Sequence, residues 1–261
     1  MIMLVKQMIK KLLHASLLLL VLSISVSAQT FFEGRLKIIQ TNFSGEKKDN
    51  SVIDVFVTPT RIKVESNKRT VNMQMLGTDD VSQVLIRLDL EDLVIHSKDL
   101  KNEALKISKA DIEAMMNIVK NMAKQFGGEE NEKSEPKVTL KVTKETKKIA
   151  GYKATKTIVT STDEPNQELH VWLSTDLNVN LGMLAEDWDF LDTVVSGSNK
   201  WLKKGAFPMA VYSYKKGTLV SQVEITEVKK GKVEASKVGV PKNVQLVSFQ
   251  DMLMKRMMNG N

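Results

Sequence analysis

Apolar and polar residues alternate through most of this chain. Residues 35–43 are rich in Ile and Leu, and 52–57 alternate. Thr58-Pro59-Thr60 then turns the chain into Arg61-Ile62-Lys63-Val64-Glu65, a clean period of two. Residues 70–75, 84–90 and 93–96 continue the series, the last two separated by Glu91-Asp92. Strand signals at this spacing, with turns between them, predict an antiparallel meander. At Ser108 the period changes. Ile112, Met115, Met116, Val119, Met122, Ala123 and Phe126 recur at helical spacing, which predicts a helix over 108–126. Ser108 and Asp111 have the spacing of a capping box, Ile107 and Ile112 that of a hydrophobic staple, and Gly127-Gly128 stops the helix.

After a charged loop, Val138, Leu140 and Val142 resume the alternation and lead into a hairpin over 149–177. Ala150-Gly151 breaks the chain ahead of a strand that begins at Tyr152, and Asp163-Glu164-Pro165-Asn166 forms its far turn. The return strand puts Leu169, Val171 and Leu173 on one face and His170 and Trp172 on the other. Residues 181–202 read as one or two helices interrupted by Ser196-Gly197-Ser198. Pro208 opens a strand to Tyr214, Lys216-Gly217 turns, 219–228 returns, and 238–240 makes a last short strand before Pro241. The final segment repeats the device of the first helix. Ser248 and Asp251 are a capping box, Val247 and Met252 a staple, and Met252, Leu253, Met257 and Met258 an apolar stripe.

Roughly ten strands with helices inserted between blocks argue for an α+β, mainly antiparallel fold rather than a doubly wound one. A long antiparallel sheet tends to curl. The expected architecture is therefore a curled half-open barrel with helices on its concave face, enclosing an apolar cavity.

The first 28 residues stand apart. Lys6, Lys10 and Lys11 precede a short apolar run over 12–22, and Val26-Ser27-Ala28 offers small residues for cleavage. This is the pattern of a secretory signal peptide, which leaves a single domain over 29–261 in the periplasm or outside the cell. The run is shorter than the roughly 20 apolar residues of a spanning helix. The chain has no cysteine, so thiolate metal sites, disulfides and cysteine nucleophiles are excluded. Its formal charge of +7 falls once the three leader lysines are lost, and the remaining lysines alternate with Thr, Val and Ile as solvated strand faces do. Nucleic acid is not an expected partner.

Candidate chemistry is sparse. His96 and His170 lack the partners that a metal or triad site needs, and read as surface or edge histidines. Glu186, Asp187, Asp189 and Asp192 lack the calcium-loop spacing and read as a solvated helix face. There is no glycine-rich phosphate loop and no nucleophile elbow. No catalytic residue, cofactor or metal is therefore expected. Methionine is the anomaly, with 14 in the chain, concentrated on the first and last predicted helices. Its flexible side chain suits a lipid-lined cavity and equally suits ordinary packing of a helix on a sheet.

Phe32-Glu33-Gly34, the run Ile149-Ala150-Gly151-Tyr152-Lys153-Ala154-Thr155-Lys156, and Val171-Trp172-Leu173-Ser174 ahead of Asp176-Leu177 resemble a bacterial family of domains of unknown function, DUF4412. That family is grouped with the lipoprotein-carrier-like (LolA/LolB-like) folds. The resemblance implies a half-open antiparallel barrel with helices at its mouth, which in the carriers holds acyl chains. No ligand-binding position of the carriers maps onto this sequence. The expected cavity lining is Met115, Met116, Val119, Met122, Phe126, Trp172 and Trp188, and the expected ligand a lipid or a lipoprotein acyl chain. The competing expectation is an envelope or secreted interaction module with a filled core and no ligand. Neither is an enzyme.

Cleavage is expected after Ala28. N-terminal sequencing of the exported protein should begin at Gln29, and a mature chain that retains Lys6 to Lys11 would refute the signal-peptide reading.

Overall fold

The computed structural model describes residues 31–45, 47–68, 81–97, 100–111, 114, 138–162, 164–182 and 205–259. By its internal contacts the chain divides into Met1–Thr30 and Phe31–Asn261. The expected leader lies outside the described residues, as do the strand over 70–75 and most of the helices expected over 108–126 and 181–202.

The first half of the fold is a six-strand meander: β1 Gly34–Ser44, β2 Lys47–Val57, β3 Arg61–Ser66, β4 Val81–Arg87, β5 Asp92–Ser97 and β6 Glu103–Ser108. A second run comprises β7 Val138–Ile149, β8 Tyr152–Ser161, β9 Gln167–Ser174, β10 Phe207–Lys215 and β11 Thr218–Lys230. β12 Gln245–Ser248 and helix α1 Phe249–Asn259 follow. All these strands form one sheet in the order β12-β6-β5-β4-β3-β2-β1-β11-β10-β9-β8-β7. β12 runs parallel to β6, and the other pairings are antiparallel. The strand order is open, with β12 and β7 at its two ends. The class is as expected, but the sheet has twelve strands rather than about ten.

Local chemistry sets the turns. Ile149 pairs with Tyr152 across Ala150 (φ 47°) and Gly151 (φ 90°), and Lys215 pairs with Thr218 across Lys216 (φ 50°) and Gly217 (φ 76°). Two positive φ angles in a two-residue loop match the right-handed twist of the flanking strands. Gly34 opens β1 at φ 155°, where an added Cβ would lie 2.1 Å from the carbonyl oxygen of Lys229 on β11. Glycine there lets β1 and β11 approach.

Register gives the sheet an aliphatic row. Val228, Leu36, Val55, Val64, Val84, Ile95, Leu105 and Val247 stand directly opposite one another from β11 through β1 to β12. Helix α1 packs Phe249 and Met252 onto the same face, against Leu105 and Ile107. The Ser248 hydroxyl donates to Asp251 Oδ2 at 2.7 Å and accepts from the Asp251 amide at 3.1 Å, so the expected capping box is present. The box at Ser108 and Asp111 is present too, with bonds of 2.6 to 3.2 Å.

On the opposite face Phe56, Leu85, Val94 and Ala104 pack against Val233, Val238, Val240 and Val244. The strand expected over 238–240 is instead the end of a 3-10 helix, Ala235–Val238, followed by extended chain. Val238 is buried against the sheet, while Pro241 has no amide to give a ladder. Two further expectations need correction. β6 and β12 were not anticipated, because each is short and stabilised by a distant partner. Met258 is 85% exposed, lying on the far side of α1 from Met252, and does not join the apolar stripe.

Arg87 and Asp92 face each other at the end of the β4–β5 pair. Arg87 Nε and Nη2 donate to the two Asp92 oxygens at 2.6 Å each, with Lys106 Nζ 3.8 Å from Asp92. The Asp92 side chain is only 2% exposed. Removing one member of such a pair strands the other in a low-dielectric site. Asp92→Ala is therefore expected to lower stability by about 3–5 kcal/mol, read as a lower denaturant midpoint. A shift below about 1 kcal/mol would place the pair among surface ion pairs.

Candidate binding site

A flat sheet would set β7 and β11 about 19 Å apart, four spacings of about 4.8 Å. Here β7 touches β11, although the two do not hydrogen-bond. The sheet therefore curls at this end. Register identifies the inner wall of the curl, since Lys147 stands opposite Ala154, Lys156 opposite Trp172, and Ala210 opposite both Trp172 and Glu224. Tyr212 follows Ala210 on the same face. Irregularities between Val142 and Thr146 and between Pro208 and Ala210 allow the sharp bend.

The curl brings together side chains from four strands. Lys147 Nζ of β7 lies 4.5 Å from the Trp172 ring centre on β9 and 4.6 Å from the Tyr212 ring centre on β10. It also donates to Tyr212 Oη at 2.5 Å and stands 3.5 Å from Glu224 Oε2 on β11. The Tyr212 hydroxyl in turn donates to Glu224. A cation held between two aromatic faces and a carboxylate is favourable where water is partly excluded. Burial, and then the hydrogen bond and charge of Glu224, push the Tyr212 phenol far above its ordinary range. Tyr212 thus remains a neutral donor, and the Lys147–Glu224 charges balance.

Beside this trio lies a second ion pair. Lys156, across from Trp172, is within 3.3 Å of both Glu145 carboxylate oxygens. Trp172 itself is 9% exposed, and its indole Nε1 is buried with no hydrogen-bond partner among the described residues. A buried donor left unpaired costs roughly 1–3 kcal/mol, so this atom marks a place where an acceptor would be welcome. Ile149, Ala154 and Ala210 pack in the same cluster as Trp172, while Tyr152 and Tyr212 are partly buried against it.

Of the expected lining residues, Trp172 sits on this wall. Met115, Met116, Val119, Met122, Phe126 and Trp188 lie outside the described residues, as do Glu186, Asp187, Asp189 and Asp192. The partners of Trp172 were not anticipated. Lys147 reads in sequence as one more solvated lysine, and only the curl turns it inward. The histidines are less exposed than expected. His96 Nε2 is buried without a described partner, and burial first, then the charge of Lys63, lowers its pKa. His170 packs against Tyr214 with ring centres 4.4 Å apart and planes tilted by 41°, and lies 3.2 Å from Glu168. No group of three or more His, Asp or Glu placed to hold a metal occurs among the described residues, and no helix among them is long and apolar enough to cross a membrane.

The family described as Domain of unknown function (DUF4412) matches residues 32–244. No curated protein matches the chain in sequence. Several solved structures are similar. PNGF-II has a TM-score of 0.44 and 19% identity, over 85% of this chain and 33% of that one. The MucA/MucB complex of Pseudomonas aeruginosa gives 0.44 and 12%, over 82% and 58%. A LolA superfamily protein of Nitrosomonas europaea gives 0.29 and 12%, over 82% and 91%. The chain thus spans from a third to about three-fifths of the first of these proteins.

Because its ionisation is opposed first by burial and then by Glu224, Tyr212 contributes stability that is complete below the ordinary tyrosine pKa of 10.0 and is lost as pH rises through its own, higher one. In an alkaline ultraviolet titration, Glu224→Gln should bring the Tyr212 transition down. An unchanged titration would show that the carboxylate does not govern the phenol.

Proposed function

The chain belongs to the DUF4412 family of domains of unknown function, and we propose that it is an exported binding module that holds an acyl chain in the curl of its sheet. The observation that carries this reading is the unclosed curl itself. Its inner wall is aromatic and aliphatic over Ile149, Tyr152, Ala154 and Trp172, and a compact polar group stands at one place on it. β7 reaches β11 without pairing, so the wall has a seam that can part without breaking a ladder. Apolar burial of a chain there contributes about 25 cal/mol per Å². In this reading the curl belongs to a half-open barrel with helices on its concave face. Met115, Met116, Val119, Met122, Phe126 and Trp188 supply further lining, and export follows cleavage after Ala28.

A second reading, the interaction module with a filled core, is favoured by one observation. Ala154 and Ala210 are fully covered, so the wall is packed at its centre. The two readings separate in one experiment. Protein purified from the exported fraction is extracted with organic solvent and the extract weighed by mass spectrometry. An acyl-bearing lipid near one per protein is the expected result. A lipid-free protein that also fails to take up added palmitate or monopalmitoylglycerol would leave the filled module as the better account.

A further inference from the structure

The polar group of the curl has more to say about the ligand than that it is apolar. We infer that the site takes an uncharged acyl ester or amide, whose carbonyl oxygen accepts from the Trp172 indole N–H and from Lys147, in preference to a free fatty-acid carboxylate. This rests on the acyl-chain reading above and specifies the head end of that ligand.

Three observations lead there. The first is the unpaired donor. Trp172 is nine-tenths buried on the inner wall, and its Nε1 has no partner among the described residues. An indole N–H can only donate, so its missing partner is an acceptor oxygen. The second is the ammonium beside it. Lys147 Nζ sits 4.5 Å from the Trp172 ring centre, bonds Tyr212 Oη, and has three protons to give. The ammonium lies over the indole ring, so an oxygen that reaches the Nε1 edge also comes under the attraction of this cation.

The third observation decides the charge. Both cations near Trp172 already carry counter-ions, Lys147 with Glu224 at 3.5 Å and Lys156 with Glu145 at 3.3 Å. Tyr212 remains a neutral phenol bonded to Glu224. The cluster is thus electrically balanced before any ligand arrives. A carboxylate ligand would add an unbalanced negative charge beside Glu224, in surroundings where like charges repel strongly. A carbonyl adds none, and still satisfies the orphan donor. The same cluster built without Glu224 would favour the acid, so the carboxylate acts as a filter against charged heads.

The test uses the mature protein and two probes of equal chain length, palmitate and monopalmitoylglycerol, titrated at pH 7 by displacement of a fluorescent fatty-acyl reporter. The ester should bind about tenfold more tightly than the acid. Trp172→Phe retains an aromatic face toward Lys147 but deletes the donor. It should weaken ester binding about fivefold, one neutral hydrogen bond, while leaving palmitate within about twofold. Glu224→Gln should narrow or invert the preference by strengthening palmitate binding, an effect that a general loss of structure would not produce. Equal affinity for the two probes, or tighter binding of palmitate by the unaltered protein, would overturn this inference and leave the acyl-chain reading standing. Binding of neither probe overturns both. The comparison on the unaltered protein decides the question even if a variant fails to fold.

Discussion

The aliphatic row that crosses eight strands is the constraint on which the rest of this molecule depends. Val228, Leu36, Val55, Val64, Val84, Ile95, Leu105 and Val247 are contributed by distant parts of the chain and meet in register. A slip of one residue in any strand would turn that strand's apolar set to the opposite face. β1 is the keystone, since it alone joins the first meander to the second. The irregularity between Lys37 and Ile38 adjusts the count on β11 so that Ile225 stays opposite Ile38 and remains buried. Without that shift Thr226 would stand opposite Ile38 and Glu224 would turn to the other face of β11, so the polar cluster of the curl would have no carboxylate.

The buried Arg87–Asp92 pair and the half-buried Lys147 cluster differ in what they do. Arg87 and Asp92 make a bidentate pair between neighbouring strands, in which both carboxylate oxygens accept from the guanidinium. Such a pair fixes register, and both Asp92 oxygens are satisfied. The Lys147 cluster joins strands that are not neighbours, and it leaves an indole N–H unpaired. A structural cluster gains nothing from an orphaned donor. That contrast is the physical reason for seeking a ligand in the curl rather than at the better-formed ion pair.

Local signals were legible in the sequence and non-local ones were not. Both capping boxes, at Ser108 with Asp111 and at Ser248 with Asp251, could be read because three residues decide them. So could the turns at Ala150-Gly151 and Lys216-Gly217, where glycine sits in a positive-φ loop. β12 was not legible, because four residues make no pattern until β6 pairs with them. Val238 looked like a strand residue, and the apolar face of Phe56 and Leu85 decided otherwise. At the site, Trp172 could be read onto the partly polar face of its hairpin. Lys147, Tyr212 and Glu224 could not be joined to it, since 77 residues separate Lys147 from Glu224 and only the bend of the sheet brings them together.

That bend also answers a problem common to all open sheets, the exposed edge. An edge strand offers unpaired amides and carbonyls to any other chain. At one end of this sheet β12 is only four residues long and runs straight into α1. At the other end β7 is twelve residues long and carries Val142 exposed to solvent, which would be a template for aggregation if flat. Its lysines at 141, 144 and 148, the irregularity between Val142 and Thr146, and its curl toward β11 all work against that. Lys147 ties the curl shut through Tyr212 and Glu224, so the residue that would recognise a ligand also protects the edge. A ligand that draws on Lys147 must therefore compete with the contact that keeps β7 folded over. A neutral carbonyl can share the ammonium with Tyr212 and leave that contact in place. A carboxylate would compete with Glu224 for it and loosen the edge, so edge protection and selection of an uncharged head place the same demand on this lysine.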